Sequence, residues 1–290
     1  MKAAGDSSPP LTGGDNGYGE SGRSQRSAAM GSLTVTILGS GTIVPSLRRS
    51  PCAFLLEAAG RKLLFDIGPG TMRRLLEAGT NIGEIDLLFI SHLHPDHSGE
   101  LASFLFANKY PETSRRRRPL TVVGARGLRT HFDGLVGVYG EWVVLPGHLF
   151  SLGELDNGGP DAWRAGPITV RSQPMAHTQS SIGYRVEAPG GAVVAYSGDT
   201  GPCEALAELA RGADLFLCEC SLPDGMTIEG HLTPSGAGAA AAAAGVRRLV
   251  LTHFYPECDA ADIEAQCRRT WQGPLTLAED LMKLRIPEAR

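Results

Sequence analysis

Residues 91–100 read SHLHPDHSGE, a run that sets His92, His94, Asp96 and His97 within six positions. The chain has 290 residues and only eight histidines, so three of them are concentrated here. Side chains at i, i+2, i+4 and i+5 cannot share one helical face, where spacings of three and four bring neighbours together. A loop that leaves a strand and runs into a helix can turn all four inward. The preceding stretch, IDLLFIS at 85–91, has the length and apolar content of a buried strand. Neutral imidazole and carboxylate are the ligands that zinc and similar divalent ions take, and a catalytic site keeps one position open for water.

Read alone, the run is also compatible with a polar loop that happens to be rich in histidine. The rest of the chain weighs against that, because it supplies matching groups: His177 in PMAHTQSS, Asp199 in YSGDTG, His231 in EGHLTPSG and His253 in LTHFYP. In DLLFISHLHPDH, VVAYSGDT, DLFLCECS and LVLTHF an apolar run ends abruptly in His, Asp or Glu. Groups on the loops that follow buried strands converge on one edge of a scaffold, and that edge is where chemistry is expected. His131 and His148 lack such a setting and read as ordinary surface or core histidines.

Composition bounds the rest. Apolar residues make up 42% and charged residues 20%, enough to bury a proper core in a globular chain. The net charge of −4 gives no global reason to expect a nucleic-acid binder. The six cysteines form no CxxC pair and read as reduced thiols of a cytoplasmic protein. No apolar stretch approaches the ~20 residues of a spanning helix, and no signal-peptide core is seen, so no membrane association is expected.

Residues 1–31 are rich in Gly, Ser and Pro and poor in branched aliphatics, the composition of a disordered tail, and Met30 is an alternative start to Met1. From residue 32 to 290 one domain is expected. Ten strand-length apolar runs (LTVTILG, CAFLLEA, KLLFD, IDLLFIS, LTVVG, ITVRSQ, GYRVEA, AVVAYSG, DLFLCE and RRLVLTH) alternate with helix-period segments at 71–78, 99–108, 203–211, 234–244 and 259–270. That alternation predicts a layered α/β protein with sheets at its centre.

The set HLHPDH, His177, SGDT and LTH resembles the metallo-β-lactamase superfamily of dinuclear hydrolases over residues 33 to about 285. ILGSGTIVPSLRRSP, LCECSL and GHLTPSGAGAAAAAAG further resemble its ribonuclease Z-like branch. The resemblance implies a four-layer αββα sandwich. It also implies two divalent ions, zinc in the first place with Mn or Fe as alternatives. One would be held by His92, His94 and His177, the other by Asp96, His97 and His253, with Asp199 bridging them. Two such ions would sit about 3.5–4 Å apart around a hydroxide. Asp66, in LFDIGPG, matches an aspartate that orients a ligand histidine in the family, although an Asp after a strand can equally be a loop cap.

A nucleophile of that kind suits attack on a phosphodiester, and the leaving alkoxide then needs a proton. The resemblance makes His231 the general acid and Glu219 the carboxylate that holds it, with Asp96 counted among the catalytic groups as well as the ligands. Thr233 and Pro234 read as N-cap and first residue of an Ala-rich helix, which would place His231 just before a helix N-terminus. An alternating strand would put Cys218 and Cys220 on the face opposite Glu219, as packing groups rather than ligands. Enzymes of the branch that trim transfer RNA carry a long arm between the third histidine and the bridging aspartate, whereas here that interval is 22 residues. A short form without the arm follows, and with it a small phosphodiester or an RNA end as substrate. The alternatives are a tRNA 3′-processing endoribonuclease, an arylsulfatase or lactonase, and a non-catalytic sensor. Relatives often pair, so a homodimer is expected and no other protein partner. Arg115 to Arg118 form the one basic run and read as a solvated loop, while Arg48 and Arg49 are better placed for anion contact.

Overall fold

The computed structural model describes residues 33–113 and 115–287. The N-terminal stretch read above as a tail, and with it the question of Met1 or Met30, lies outside the described residues.

Two seven-stranded sheets form the centre of the molecule. The first contains β1 (Leu33–Gly39), β2 (Ala53–Ala58), β3 (Arg61–Phe65), β4 (Leu87–Ile90), β5 (Leu120–Ala125), β6 (Phe150–Leu155) and, paired to β1, β14 (Lys283–Ile286). The second runs β13 (Leu275–Leu277), β12 (Leu249–Thr252), β11 (Leu215–Glu219), β10 (Val193–Tyr196), β9 (Ile182–Glu187), β8 (Ile168–Pro174) and β7 (Asp161–Ala165). Each sheet is antiparallel on one side and parallel on the other. The parallel halves are β3 to β6 in the first and β10 to β13 in the second.

Strand alternation explains why both faces of the first sheet are buried. Val35, Ile37, Phe54, Leu56, Leu63, Phe65, Leu87 and Phe89 face the second sheet, while Leu38, Leu55, Leu64, Leu88 and Ile90 face outward onto helices. Phe54, Phe65 and Phe89 lie opposite one another in register and stack at 4.6 and 5.0 Å, with Tyr184 of the second sheet set edge-on against Phe65 at 5.5 Å. Each fully buried aliphatic or aromatic side chain contributes roughly 1.5–3 kcal/mol. The outer face of the first sheet is covered by α1 (Thr71–Glu77), α3 (Leu101–Lys109) and α4 (Leu128–Tyr139), with the single turn α2 (Pro95–Ser98) between α1 and α3. The second sheet is covered by α5 (Glu204–Ala210), α6 (Pro234–Ala244) and α8 (Ile263–Cys267), with the single turn α7 (Pro256–Asp259) before α8. The result is the expected αββα sandwich.

Several expected boundaries move. The helix expected at 259–270 is shortened to α8, which starts after Asp262, whose side chain accepts from the Ala265 amide, and only Asp259 of the expected range falls in the turn α7. Strands β6, β7, β13 and β14 and helix α4 were not among the predicted elements.

At the end of the sandwich reached by the parallel strands, the sheets are tied by hydrogen bonds from one to the other. Ile182 N donates to Ser91 O, the Tyr184 hydroxyl to Ile90 O, and Phe254 N to Ser40 O. The loop after β1 is fastened there by Asp280, which accepts from Ser40 N, Ser40 Oγ and Ser50 N and pairs with Arg74. Among the described residues no helix is long and apolar enough to cross a membrane.

Candidate metal centre

That tied end carries the polar strand termini. β3 delivers Asp66, β4 delivers Ser91 and His92, β8 leads to His177, β10 to Asp199, β11 ends in Glu219 and β12 runs into His253. After His94 the chain enters α2 through Pro95, whose fixed φ and missing N–H suit a first helical position, and this turn presents Asp96 and His97 together. Gly68 lets the β3 loop lie against this turn, since a Cβ there would stand 1.9 Å from Asp96 O.

The side chains meet. His94 Nδ1 lies 3.1 Å from both His92 Nε2 and His177 Nε2. In a second group, His97 Nε2 and His253 Nε2 are 3.3 Å apart, and Asp96 Oδ2 is 3.5 Å from His253 Nε2. Asp199 Oδ2 lies between the groups, 3.3 Å from His97, 3.4 Å from His253, 3.7 Å from His92 and 4.0 Å from His177. Asp199 is buried, and its Oδ1 has no hydrogen-bond partner among the described residues.

A surrounding layer sets which nitrogen of each ring faces inward. Asp66 accepts from Ser91 N, Ser91 Oγ and the Tyr196 hydroxyl and lies 2.8 Å from His97 Nδ1. His92 Nδ1 meets Ser91 Oγ, His253 Nδ1 meets Ser221 Oγ at 3.0 Å, and His177 Nδ1 donates to Gly230 O at 2.9 Å. Gly230 is at φ +81°, and a Cβ on it would press His177 Nδ1 at 2.7 Å. Asp66 and His253 themselves adopt φ of 60° and 61°, a conformation that costs L residues energy and persists where surrounding contacts hold it.

These facts test whether a cation suits the site. With Nδ1 of His253 and His97 engaged on the outside, their Nε2 atoms turn toward each other at 3.3 Å. Two imidazole lone pairs at that distance repel unless a positive charge lies between them. Ligands about 2.0–2.1 Å from one tetrahedral ion are about 3.4 Å apart, the scale of the separations seen here. The donor set and the orphaned Asp199 oxygen therefore fit divalent cations.

Electrostatics agree. Burial lowers the pKa of His92 well below the usual value, with the His97 charge adding to the effect. Burial also opposes charge on His97, but Asp199 and Asp66 outweigh it and raise its pKa well above the usual value. The Asp199 carboxyl would be raised by burial, yet His253 and His97 keep it well below the ordinary range. The cluster is built to hold positive charge.

Beside it stands a second pair. His231 Nδ1 lies 2.9 Å from Glu219 Oε1. Glu219 is fully buried and also accepts from Thr200 N, Ser221 N, Ser221 Oγ and Leu232 N. Burial lowers the His231 pKa, but the Glu219 hydrogen bond and charge raise it further, to a net value above the usual one. Thr233 Oγ1 accepts from the Gly236 amide and Pro234 opens α6, so His231 does precede a helix N-terminus. Cys218 and Cys220 are buried, and all six cysteines are free thiols.

The arginines behave differently from expectation. Arg49 is consumed internally by Asp259, Ser40 Oγ, Ala278 O and the face of Phe254, which leaves it unable to meet an anion. Arg48 is exposed, with only a 3.4 Å approach to Asp259. The run Arg115 to Arg118 is divided: Arg116 is buried and donates to Asn108 Oδ1 and to the carbonyls of Ile82, Ile85, Arg118 and Pro119, Arg115 pairs with Glu112, and Arg118 pairs with Asp86. Sequence reasoning missed Ser91, Ser221, Tyr196 and Tyr255, which border the centre. A hydroxyl's role depends on what it faces, and no local pattern reports that.

Residues 61–254 match the model of the beta-lactamase superfamily domain. A Haloferax volcanii protein named Ribonuclease Z is 29% identical over 89% of this chain and 96% of its own length. An uncharacterized Mycobacterium tuberculosis protein is 32% identical over 84% of this chain and 89% of its own. The crystal structure of the short form of human tRNase Z superposes with a TM-score of 0.71 at 26% identity, covering 88% of this chain and 99% of that one.

Proposed function

The chain belongs to the metallo-β-lactamase superfamily and is a metal-dependent hydrolase, and we propose that within that family it is a dinuclear phosphodiesterase. One observation carries the reading: the three imidazoles of His92, His94 and His177 and the group Asp96, His97 and His253 lie on either side of the buried Asp199, with the His231–Glu219 pair adjoining them. His92, His94 and His177 would hold one ion, Asp96, His97 and His253 the other, and Asp199 both. Zinc suits five imidazoles and two carboxylates, with Mn and Fe also accepted by such a set. When bound, the pair of ions supplies a water nucleophile at neutral pH and neutralises charge on phosphoryl oxygens.

The chain's own residues supply the remaining steps. Asp66, Ser91, Ser221 and Gly230 fix ring orientations, so no reorganisation is needed as charge develops. Glu219 engages His231 Nδ1, which leaves Nε2 as the atom that gives a proton to the leaving oxygen as the phosphorus–oxygen bond breaks. The N-terminus of α6 adds partial positive charge on the same side.

Between His177 and Asp199 the chain is spent on the β9–β10 hairpin, which leaves no length for a tRNA-gripping arm. This supports a small phosphodiester or an RNA end. The relatives named Ribonuclease Z support the second reading, tRNA 3′ processing. Assaying bis(p-nitrophenyl) phosphate, a 2′,3′-cyclic nucleotide, an aryl sulfate and a pre-tRNA side by side separates these readings. The expected result is preference for a small phosphodiester. Much faster turnover of the aryl sulfate overturns it.

A further inference from the structure

Tyr255 stands at the mouth of the candidate centre with no task assigned to it so far. Its ring centroid is 6.5 Å from that of His231 and 6.2 Å from that of His253, and it is steeply inclined to both, at 79° and 80°. The two imidazoles are nearly parallel, at 11°. Tyr255 is therefore a wall perpendicular to the pair, one side chain away from the group that faces the leaving oxygen.

The wall is rigid in its backbone and unused in its side chain. Tyr255 N donates to Ser221 O at 3.1 Å, Phe254 N before it is tied to Ser40 O, and Pro256 after it begins α7. The ring is half-buried, and its hydroxyl makes no hydrogen bond among the described residues. A tyrosine buried for stability alone finds a partner for its hydroxyl, whereas one with an apolar body and a wet tip is suited to contact with a ligand. Two loops that are tied to its neighbours carry exposed apolar side chains. Met226 and Ile228 are 47% and 48% exposed on the loop whose Ile228 carbonyl accepts from His231 N. Leu47 is wholly exposed on the loop that Arg49 fastens to Asp259 of α7.

We propose that Tyr255 is a specificity-determining residue on which the leaving half of the substrate packs, so that the site prefers phosphodiesters whose leaving alcohol carries a flat unsaturated ring. The assignment to the leaving half rests on the phosphodiesterase reading above. The preference for a ring does not.

Two measurements on the zinc-loaded full chain test it. The first is calorimetric binding of phenylphosphonate and methylphosphonate, which share the metal-seeking head and differ in the ring. Wild type binds the phenyl compound about tenfold more tightly, Tyr255→Ala brings the two within about twofold, and Tyr255→Phe keeps most of the preference. The second compares a 2′,3′-cyclic nucleotide with glycerol 1,2-cyclic phosphate. In Tyr255→Ala the loss of kcat/KM on the nucleotide exceeds that on the ring-free substrate by about tenfold, and the excess resides in KM. Equal losses on both substrates, or a wild type indifferent to the phenyl ring, overturn the proposal. A wild type that turns over an aryl sulfate and no phosphodiester overturns the reading of function, while the calorimetry still decides the role of Tyr255.

Discussion

At the scale of single residues, the site separates groups that hold charge from groups that aim them. His231 belongs to neither metal group proposed here, so His231→Ala is expected to retain its metal by elemental analysis. Its kcat should fall by about 10²- to 10⁴-fold, most on substrates with poor leaving groups. Loss of both metals in this variant means that a ligand was misassigned. An acid must be protonated to act, and a raised pKa keeps His231 charged to higher pH than an ordinary imidazole. Glu219→Gln removes the largest influence that raises the His231 pKa against the lowering effect of burial. The alkaline limb of the kcat profile should then move to lower pH, and a limb that stays in place refutes the pairing. Asp66 acts one layer out, through the 2.8 Å contact with His97 Nδ1. Asp66→Asn should weaken metal affinity about 10- to 100-fold in competition with a chromophoric chelator, and unchanged affinity would show that His97 needs no orienting partner.

Among the elements, α6 shows how a weak local pattern is settled by packing. Its sequence PSGAGAAAAAA has almost no amphipathic signal, yet Thr233 and Pro234 start it, Gly245 ends it at φ 62°, and Ala237, Ala241 and Ala244 are buried against the second sheet. Small side chains allow close approach. A Cβ on Gly238 would stand 2.3 Å from Thr270 Oγ1 and 2.9 Å from Cys267 O. Gly238→Ala gains about 1 kcal/mol of helix propensity and loses about 1–3 kcal/mol to the clash, so urea unfolding should show a net loss. A more stable variant would mean that α6 and α8 can separate freely. The buried strands were legible because strands covered on both faces, as at the centre of each sheet, demand unbroken apolar runs. Strands β6 and β7 were not, since FSLGEL and DAWRA lie at sheet margins with much of their length exposed, which erases the hydrophobic run that marks a strand. Helix α4 carries Gly134 and Gly137 and buries only Leu128, so its pattern was too weak to read.

For the whole molecule, the centre is a joint as well as a site. Its ligand candidates come from both sheets: His92, His94, Asp96 and His97 follow β4 of the first, while His177, Asp199 and His253 follow strands of the second. This is also why the candidate groups stood out in the sequence and their supports did not. Charged and imidazole groups stand out where an apolar run stops, whereas Ser91, Ser221 and Tyr196 matter only because the two sheets bring them against those groups. A cation bound between the sheets stabilises the folded chain alone, because the ligands are dispersed once it unfolds. The gain is RT ln(1 + [M]/Kd), about 2.7 kcal/mol when the free metal exceeds Kd a hundredfold. Without the cation, repulsion among the inward-facing nitrogens and the unpartnered Asp199 oxygen act on the same joint. Dialysis against a chelator should therefore lower Tm by several degrees, and added zinc should restore it in a concentration-dependent way. His253→Ala should blunt both changes, since it removes a ligand on the second sheet. If the melting curve ignores chelator and metal alike, the groups gathered at this end of the sandwich do not clasp a cation, and the hydrolytic chemistry built on them falls with it.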